Sequence, residues 1–308
     1  MGSDNARASR PLLIVGRSML TTLPACKVWV FNDNHKGSFM RGAFVSGFFV
    51  IGILLSYHSS AEPPSLAEVP EIRPGLLMGY LPMDNPLRSD EFIPPPPAAG
   101  SAEQAADEAF SARLLANQDT ARFDLARADA RLGPDSTATF SCAVGINISQ
   151  EDTPHLQMLL RRTLTDLGLA SYGAKNAYQR ERPFMGNQQP ICTPEEEEML
   201  RGDGSYPSGH TAIGWGWALI LSDLVPDRAE QILARGIAFG DSRNVCNVHW
   251  RSDVQAGILV GSAAFARLQS NADFLEARAL ARSEITKAKA NSEDPKGDCE
   301  AEKQALQR

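Results

Sequence analysis

Three short segments of the chain carry residue types that could move a phosphoryl group. They are Lys175 with Arg182-Pro183, then Pro207-Ser208-Gly209-His210, then Ser242-Arg243 with His249 and Asp253. Two of the chain's five histidines fall in this set. Phosphoryl transfer asks for positioning and charge neutralisation more than for covalent assistance. Arginine suits bidentate contact with phosphoryl oxygens, and lysine supplies a point charge. Small residues opening a helix let backbone N–H groups close on an anion. Ser208 adds a hydroxyl donor there, Gly209 permits close approach of the backbone, and His210 falls in the first helical turn. His249 and Asp253 are four residues apart and share a face if the stretch is helical. A carboxylate bonded to one ring nitrogen fixes the tautomer and leaves the other nitrogen free to attack.

Taken singly, each segment has an ordinary explanation. Lys175 and Arg182 at helical spacing, with Pro183 ending their helix, describe a solvated basic face. The Pro-Ser-Gly turn reads as a simple cap, and the His-Asp pair as a surface i,i+4 contact, although the apolar run after it favours burial. Together they spell Lys-x6-Arg-Pro, Pro-Ser-Gly-His and Ser-Arg-x5-His-x3-Asp, in that order, separated by 23 and 31 residues. That arrangement is hard to obtain by chance.

The chain thereby resembles the phosphatidic acid phosphatase type 2 superfamily, which also holds the vanadium haloperoxidases. It is most similar to the soluble branch, the bacterial class A non-specific acid phosphatases, whose signature matches Gly-Ser-Tyr-Pro-Ser-Gly-His-Thr at 204–211. The likeness runs from about Pro94 to about residue 275 and leaves out the leader and the charged tail. It implies an all-α helical bundle and a phosphohistidine mechanism with an acidic optimum. By the resemblance, His249 is the nucleophile, Asp253 orients it, and His210 is the general acid and then the base. Lys175, Arg182, Ser208, Gly209 and Arg243 hold the phosphoryl oxygens, and neither a metal nor another cofactor takes part. The substrates implied are small phosphomonoesters. A vanadate-dependent haloperoxidase is the main alternative, against which the compact size and the signature both argue. A membrane lipid phosphatase would need several spans of about 20 apolar residues, which the body lacks. A non-catalytic phosphate-binding protein is opposed by the presence of both His249 and Asp253, while phosphotransfer to acceptors other than water stays open.

The elements that must position these residues read as helices. Ser101 with Gln104 resembles a capping box opening an Ala-rich helix to about Asn117. Helical spacing recurs at 119–131 and 153–168. Thr211–Leu224 and Asp253–Leu268 are the most apolar runs of the body, with Gly214, Gly216, Gly257 and Gly261 allowing close approach, and both read as central helices of a soluble bundle. No useful strand-like alternation is present.

Composition divides the chain further. Residues 43–55 form a short apolar run, preceded by Arg41 and followed by Ser59-Ser60-Ala61, the plan of a cleaved secretory signal at 40–61, with a retained anchor as the alternative. Met40 then reads as the start, and residues 1–39 as a start-site artefact or an extended leader. Residues 62–100 are a proline-rich arm expected to be extended, with a polyproline stretch, 101–286 the catalytic helical domain, and 287–308 a charged tail expected to be a frayed helix or disordered. The net charge of −7 argues against nucleic acid as a partner. Residues 1–61 are net basic, so their loss leaves a more acidic body with a cationic site. Four cysteines follow the leader, Cys142, Cys192, Cys246 and Cys299, and allow three pairings. Convergence of the site segments favours Cys192–Cys246, leaving Cys142–Cys299, with buried free thiols as the ordinary alternative. The expected setting is the periplasm, without stable membrane association once the signal is cut. The arm is an expected contact in a homo-oligomer.

Overall fold

The computed structural model describes residues 68–117, 119–291 and 294–307. The stretches read as a start-site artefact or an extended leader (1–39) and as a signal (40–61), with Cys26, lie outside these residues. The described residues belong to one unit, Glu62–Arg308. In chain order they form strands β1 (Glu71–Arg73) and β2 (Leu76–Leu77), then helices α1 (Ser89–Phe92), α2 (Ala102–Ala116), α3 (Thr120–Asp129), α4 (Ser141–Val144), α5 (Pro154–Leu169), α6 (Tyr172–Tyr178), α7 (Pro183–Asn187), α8 (Glu197–Arg201), α9 (Gly209–Leu224), α10 (Ala229–Val245), α11 (Arg251–Leu268), α12 (Ala272–Ala290) and α13 (Cys299–Leu306). The fold is all-α, a helical bundle with one small hairpin.

Helix α9 is the axis of the bundle and packs against α5, α10 and α11. It is apolar on most sides, as a helix surrounded by others must be. Trp217 from α9, Phe140 and Phe239 from α10 meet at its centre with ring centroids 6.2–6.4 Å apart. The Trp217 indole N–H donates to Leu160 O at 2.9 Å, satisfying the one polar atom of that buried ring. Helix α11 crosses α9 closely because Gly261 has no Cβ: one placed there would stand 2.6 Å from Ala212 O. Helix α12 covers α5 and caps it, since Glu284 accepts from the His155 and Leu156 amides at 3.1 and 2.9 Å. No helix of the described residues is long and apolar enough to cross a membrane.

The helical spacing of the sequence corresponds to α2, α3, α5, α9 and α11, and Ser101 caps α2 by accepting from the Gln104 amide. Two expectations change. The arm contains a short antiparallel hairpin around Arg73-Pro74-Gly75-Leu76, where Pro74 presets one turn residue and Gly75 takes a φ of 79°. Three or two residues per strand are too few to show alternation in the sequence. The charged tail is also neither frayed nor free: α12 continues to Ala290, and α13 is tied to the body by the Cys142–Cys299 disulfide and the Arg235–Glu302 ion pair. Composition reports solvation and carries no record of such long-range ties.

The arm lies on the body. Thr165 donates to Leu77 O at 2.6 Å, Asp166 accepts from the Tyr80 and Leu81 amides at 2.9 Å each, and Arg162 stacks on the Tyr80 ring. Burial pushes the Asp166 carboxyl up to about 6 despite these two donors. Further along, the Tyr206 hydroxyl donates to Pro94 O at 2.6 Å.

Candidate active site

A cavity of about 330 Å³ opens at the N-terminal end of α9. Lys175, Arg182, Gly209, His210, Arg243 and His249 all line it. Ser208 and Asp253 are fully buried behind its wall. A larger groove, about 1310 Å³, runs beside α10 and α13 and holds none of these residues.

Lys175 projects from α6, which ends at Gln179 in the left-handed region (φ 44°). Arg182 does not share that helix. It is extended (φ −81°, ψ 153°) and is the residue before α7, with Pro183 at the first helical position. Pro183 therefore opens a helix rather than ending one, as its fixed φ and missing N–H allow. The Arg182 guanidinium is held on all sides: Nε donates to Leu200 O and Asp203 O at 2.9 and 3.0 Å, Nη1 to Val248 O at 3.0 Å, and Nη2 to Asp203 Oδ2 at 3.0 Å. The Lys175 ammonium lies 3.1 Å from the same carboxylate oxygen and donates to Gly204 O.

Arg182 Nη1 also lies 3.1 Å from His249 Nε2. A guanidinium only donates, so Nε2 must offer its lone pair and Nδ1 carries the proton. Nδ1 faces Asp253 Oδ2 at 3.4 Å. This pair does not sit on one helix face, because His249 precedes α11. Asp253 instead occupies the third position of α11 and accepts from the Trp250 amide at 2.8 Å. That bond turns the chain so that the His249 ring meets the carboxylate. Burial raises the Asp253 carboxyl, while the Arg180 charge and the Trp250 amide hold it back.

Arg180 lies outside the three sequence motifs. Its Nη1 donates to Asp253 Oδ1 at 2.6 Å and to Ser252 Oγ at 2.7 Å, and its Nη2 to Gln104 and Asp107 of α2 at 2.6 and 2.9 Å. Asp203 lies outside the motifs as well, although it stands directly before the Gly-Ser-Tyr-Pro-Ser-Gly-His-Thr stretch. Arg180 lies between two recognised cations, and the run Arg-Glu-Arg-Pro was the available signal.

Ser208 caps α9 and accepts from the Thr211 amide and hydroxyl at 3.3 and 2.9 Å. Its own amide donates to Asp253 O at 3.0 Å, joining the cap to the start of α11. His210 lies in the first turn, as its position predicts, with Nε2 2.9 Å from Ala130 O. A carbonyl only accepts, so Nε2 carries a proton and Nδ1 is the exchangeable position. Burial lowers the pKa of His210 well below its usual value, with Arg243 adding to the effect, and lowers that of His249 by burial together with Arg182 and Lys175. Burial, with Arg182, also brings Lys175 down to about 8 and Arg243 down to about 10. Each shift opposes positive charge, and an anion in the cavity would reverse it.

Arg243 ends α10. None of its three guanidinium nitrogens has a hydrogen-bond partner among the described residues, although all are buried. Ser242 turns the other way, donating to Asp129 at 2.6 Å. The Cys192–Cys246 disulfide holds the end of α10 to the segment before α8, and Asn244 donates to His249 O at 3.0 Å.

Residues 158–271 match the family model described as the PAP2 superfamily. The chain is 44% identical over 209 residues to an acid phosphatase of Zymomonas mobilis, covering 66% of this chain and 78% of that protein. It is 41% identical over 214 residues to a non-specific acid phosphatase of Providencia stuartii, covering 68% and 86%. A non-specific acid phosphatase of Salmonella typhimurium is 36% identical over 239 residues, covering 77% and 90%.

Proposed function

The chain belongs to the non-specific acid phosphatases of the PAP2 superfamily, and we propose that it hydrolyses a broad range of phosphomonoesters through a phosphohistidine on His249. The observation that carries this reading is the pair of contacts on the two ring nitrogens of His249. Arg182 and Asp253 on opposite sides of the ring favour a proton on Nδ1 and a lone pair on Nε2, beside the unpartnered guanidinium of Arg243.

The phosphoryl group would rest on Lys175, Arg182 and Arg243, with Gly209 at the opening turn of α9 that the Ser208 hydroxyl caps. Its charge would lift the depressed pKa of His210, so that Nδ1 carries a proton when substrate is bound. Nε2 of His249 attacks phosphorus. The P–O ester bond breaks, its electron pair goes to the leaving oxygen, and that oxygen takes the His210 Nδ1 proton. Water then attacks the phosphoryl group, giving its proton back to His210 Nδ1, while the N–P bond pair returns to His249. One histidine thus works neutral and the other charged, the arrangement that produces a bell-shaped pH profile.

Breadth follows from the contacts, which all address the phosphoryl group. Both disulfides support an oxidising compartment, and with the signal read at 40–61 they favour secretion to the periplasm. His249→Ala is expected to lower p-nitrophenyl phosphate turnover by at least about 10³-fold and to abolish a phosphoenzyme trapped by alkaline quench. Near-normal turnover in that variant would remove His249 from the role.

A further inference from the structure

The walls of the cavity beyond the phosphoryl contacts differ from those contacts in kind. Resting on the mechanism above, the ester oxygen must face His210 to be protonated. The leaving group therefore exits past the neighbours of His210, which are Leu132, two residues beyond Ala130, and Ile213, one turn along α9. Leu169 at the end of α5 and Leu76 of the hairpin continue this wall, and Tyr172, 40% exposed, stands at the mouth. These side chains offer a flat or bulky apolar group a dry surface. The leucines and Ile213 offer a sugar hydroxyl nothing to bond, and the Thr165 and Ser171 hydroxyls, also in the lining, donate to Leu77 O and Gly168 O.

Arg73 also lines the cavity. It occupies the first position of the tight Pro74-Gly75 turn and is exposed. Its backbone is well placed: the hairpin is fastened to α5 through Thr165, Asp166 and Arg162. The nearby carboxylates are engaged elsewhere among the described residues. Asp203 is tied to Lys175 and Arg182, and Glu71 accepts from the Gly75 amide at 3.1 Å. The Arg73 charge reaches Tyr172, whose hydroxyl is raised by burial and by Asp203 and drawn back by Arg73 and Arg182.

We infer that this wall is a leaving-group subsite that ends in an anion contact at Arg73, and that it favours phosphomonoesters of apolar, ring-bearing alcohols carrying a second negative group. The second group is a carboxylate or a further phosphoryl group. Neutral ring esters use the wall without Arg73.

The test compares phenyl phosphate, 4-carboxyphenyl phosphate and 4-phosphonophenyl phosphate on the wild type, Arg73→Gln and Arg73→Glu. For the carboxylate ester, KM relative to phenyl phosphate is expected to rise about 3- to 5-fold in Arg73→Gln, the scale of one exposed ion pair. It should rise further in Arg73→Glu. The difference should fade in 0.5 M NaCl, and KM for phenyl phosphate should hold throughout. A larger effect with the phosphonate assigns the contact to phosphoryl groups, and an equal effect to anions generally. An unchanged KM ratio, or a common shift for all three esters, overturns the subsite. Because the readout is a ratio between esters, it stays separate from the fate of His249→Ala: loss of the phosphohistidine reading would not alter the ratio, and loss of the ratio would not alter that reading.

Discussion

Two arginines on α10, eight residues apart, are equally buried and oppositely treated. Arg235 is 2% exposed and Arg243 is 1% exposed. Arg235 holds Asp129 through two nitrogens at 2.5 and 3.2 Å and Glu302 through its third at 3.1 Å. Burial pulls its pKa down, and the two carboxylates more than reverse that pull. Arg243 has no such partners, and its pKa falls to about 10. An arginine taken out of water loses several kcal/mol unless its charge and donors are met. Where they are met by the protein, the residue holds the fold together. Where they are left open in a cavity with two histidines, the fold has given up stability that a bound anion can restore.

The widest separation between the two should appear in catalysis. Arg243→Met removes the unpartnered donor set that the proposed mechanism places on the phosphoryl group, and is expected to lower kcat/KM by about 10³-fold. Its thermal midpoint should not fall, because an unmet charge leaves the interior with it. Inorganic phosphate at 100 times its Kd should stabilise the wild type by about 2.7 kcal/mol and the variant hardly at all. Thermal melts with and without phosphate read both quantities, and a variant that melts well below the wild type would erase the contrast.

Arg235→Met should do the reverse. It strands Asp129 in the interior, which is expected to cost about 3–5 kcal/mol in denaturant unfolding. The protein that remains folded should keep kcat/KM within a few-fold. Replacing Asp129 with Leu in the same chain should recover much of the loss, since the stranded charge is then gone. If the double variant is no more stable than the single one, Arg235 acts through packing instead.

The same contrast separates what was legible in the sequence from what was not. Helices α2, α3, α5, α9 and α11 were readable because their spacing and caps are local. Ser208, Gly209 and His210 were readable for the same reason, being consecutive at one helix start. The place of Pro183 is ambiguous in the sequence because a proline both ends and opens helices, and the left-handed residue that ends α6, Gln179, has no strong sequence mark. His249 and Asp253 met through a capping turn rather than a helix face, so the contact was anticipated and its geometry was not. Arg180, Asp203 and the Arg235–Asp129 pair depend on partners 21 to 106 residues away. No period in the chain encodes such distances. The ties of the tail are hidden on the same ground, since Glu302 is a surface-type residue until Arg235 is placed beside it.

The smallest effect concerns the histidines that burial and the site's cations hold neutral. His210 and His249 both titrate below the usual value of about 6.5, through burial first and the neighbouring cations second. In the unfolded chain each takes up a proton as pH falls through about 6.5, whereas the folded site resists. The unfolded state then binds more protons, so stability is lost as pH falls, by at most about 1.4 kcal/mol per pH unit for each histidine. Asp166 works in the other direction. Pushed up to about 6 by burial, it is protonated in the folded protein before the unfolded chain follows near 3.9, which adds stability as pH falls between those values. The raw curve mixes these with the other carboxyls that burial raises, Asp253, Glu284 and Glu302, and a difference between variants separates out the histidine. His249→Gln should be less sensitive to pH than the wild type between pH 6.5 and 5, by up to about 1.4 kcal/mol per unit, while the Asp166 contribution cancels. Saturating phosphate should flatten the wild-type curve toward the variant, since an anion on Lys175, Arg182 and Arg243 raises the histidine pKa. Parallel curves for the two proteins without phosphate would mean that His249 does not carry the charge penalty. The open side of the comparison would then rest on Arg243 alone.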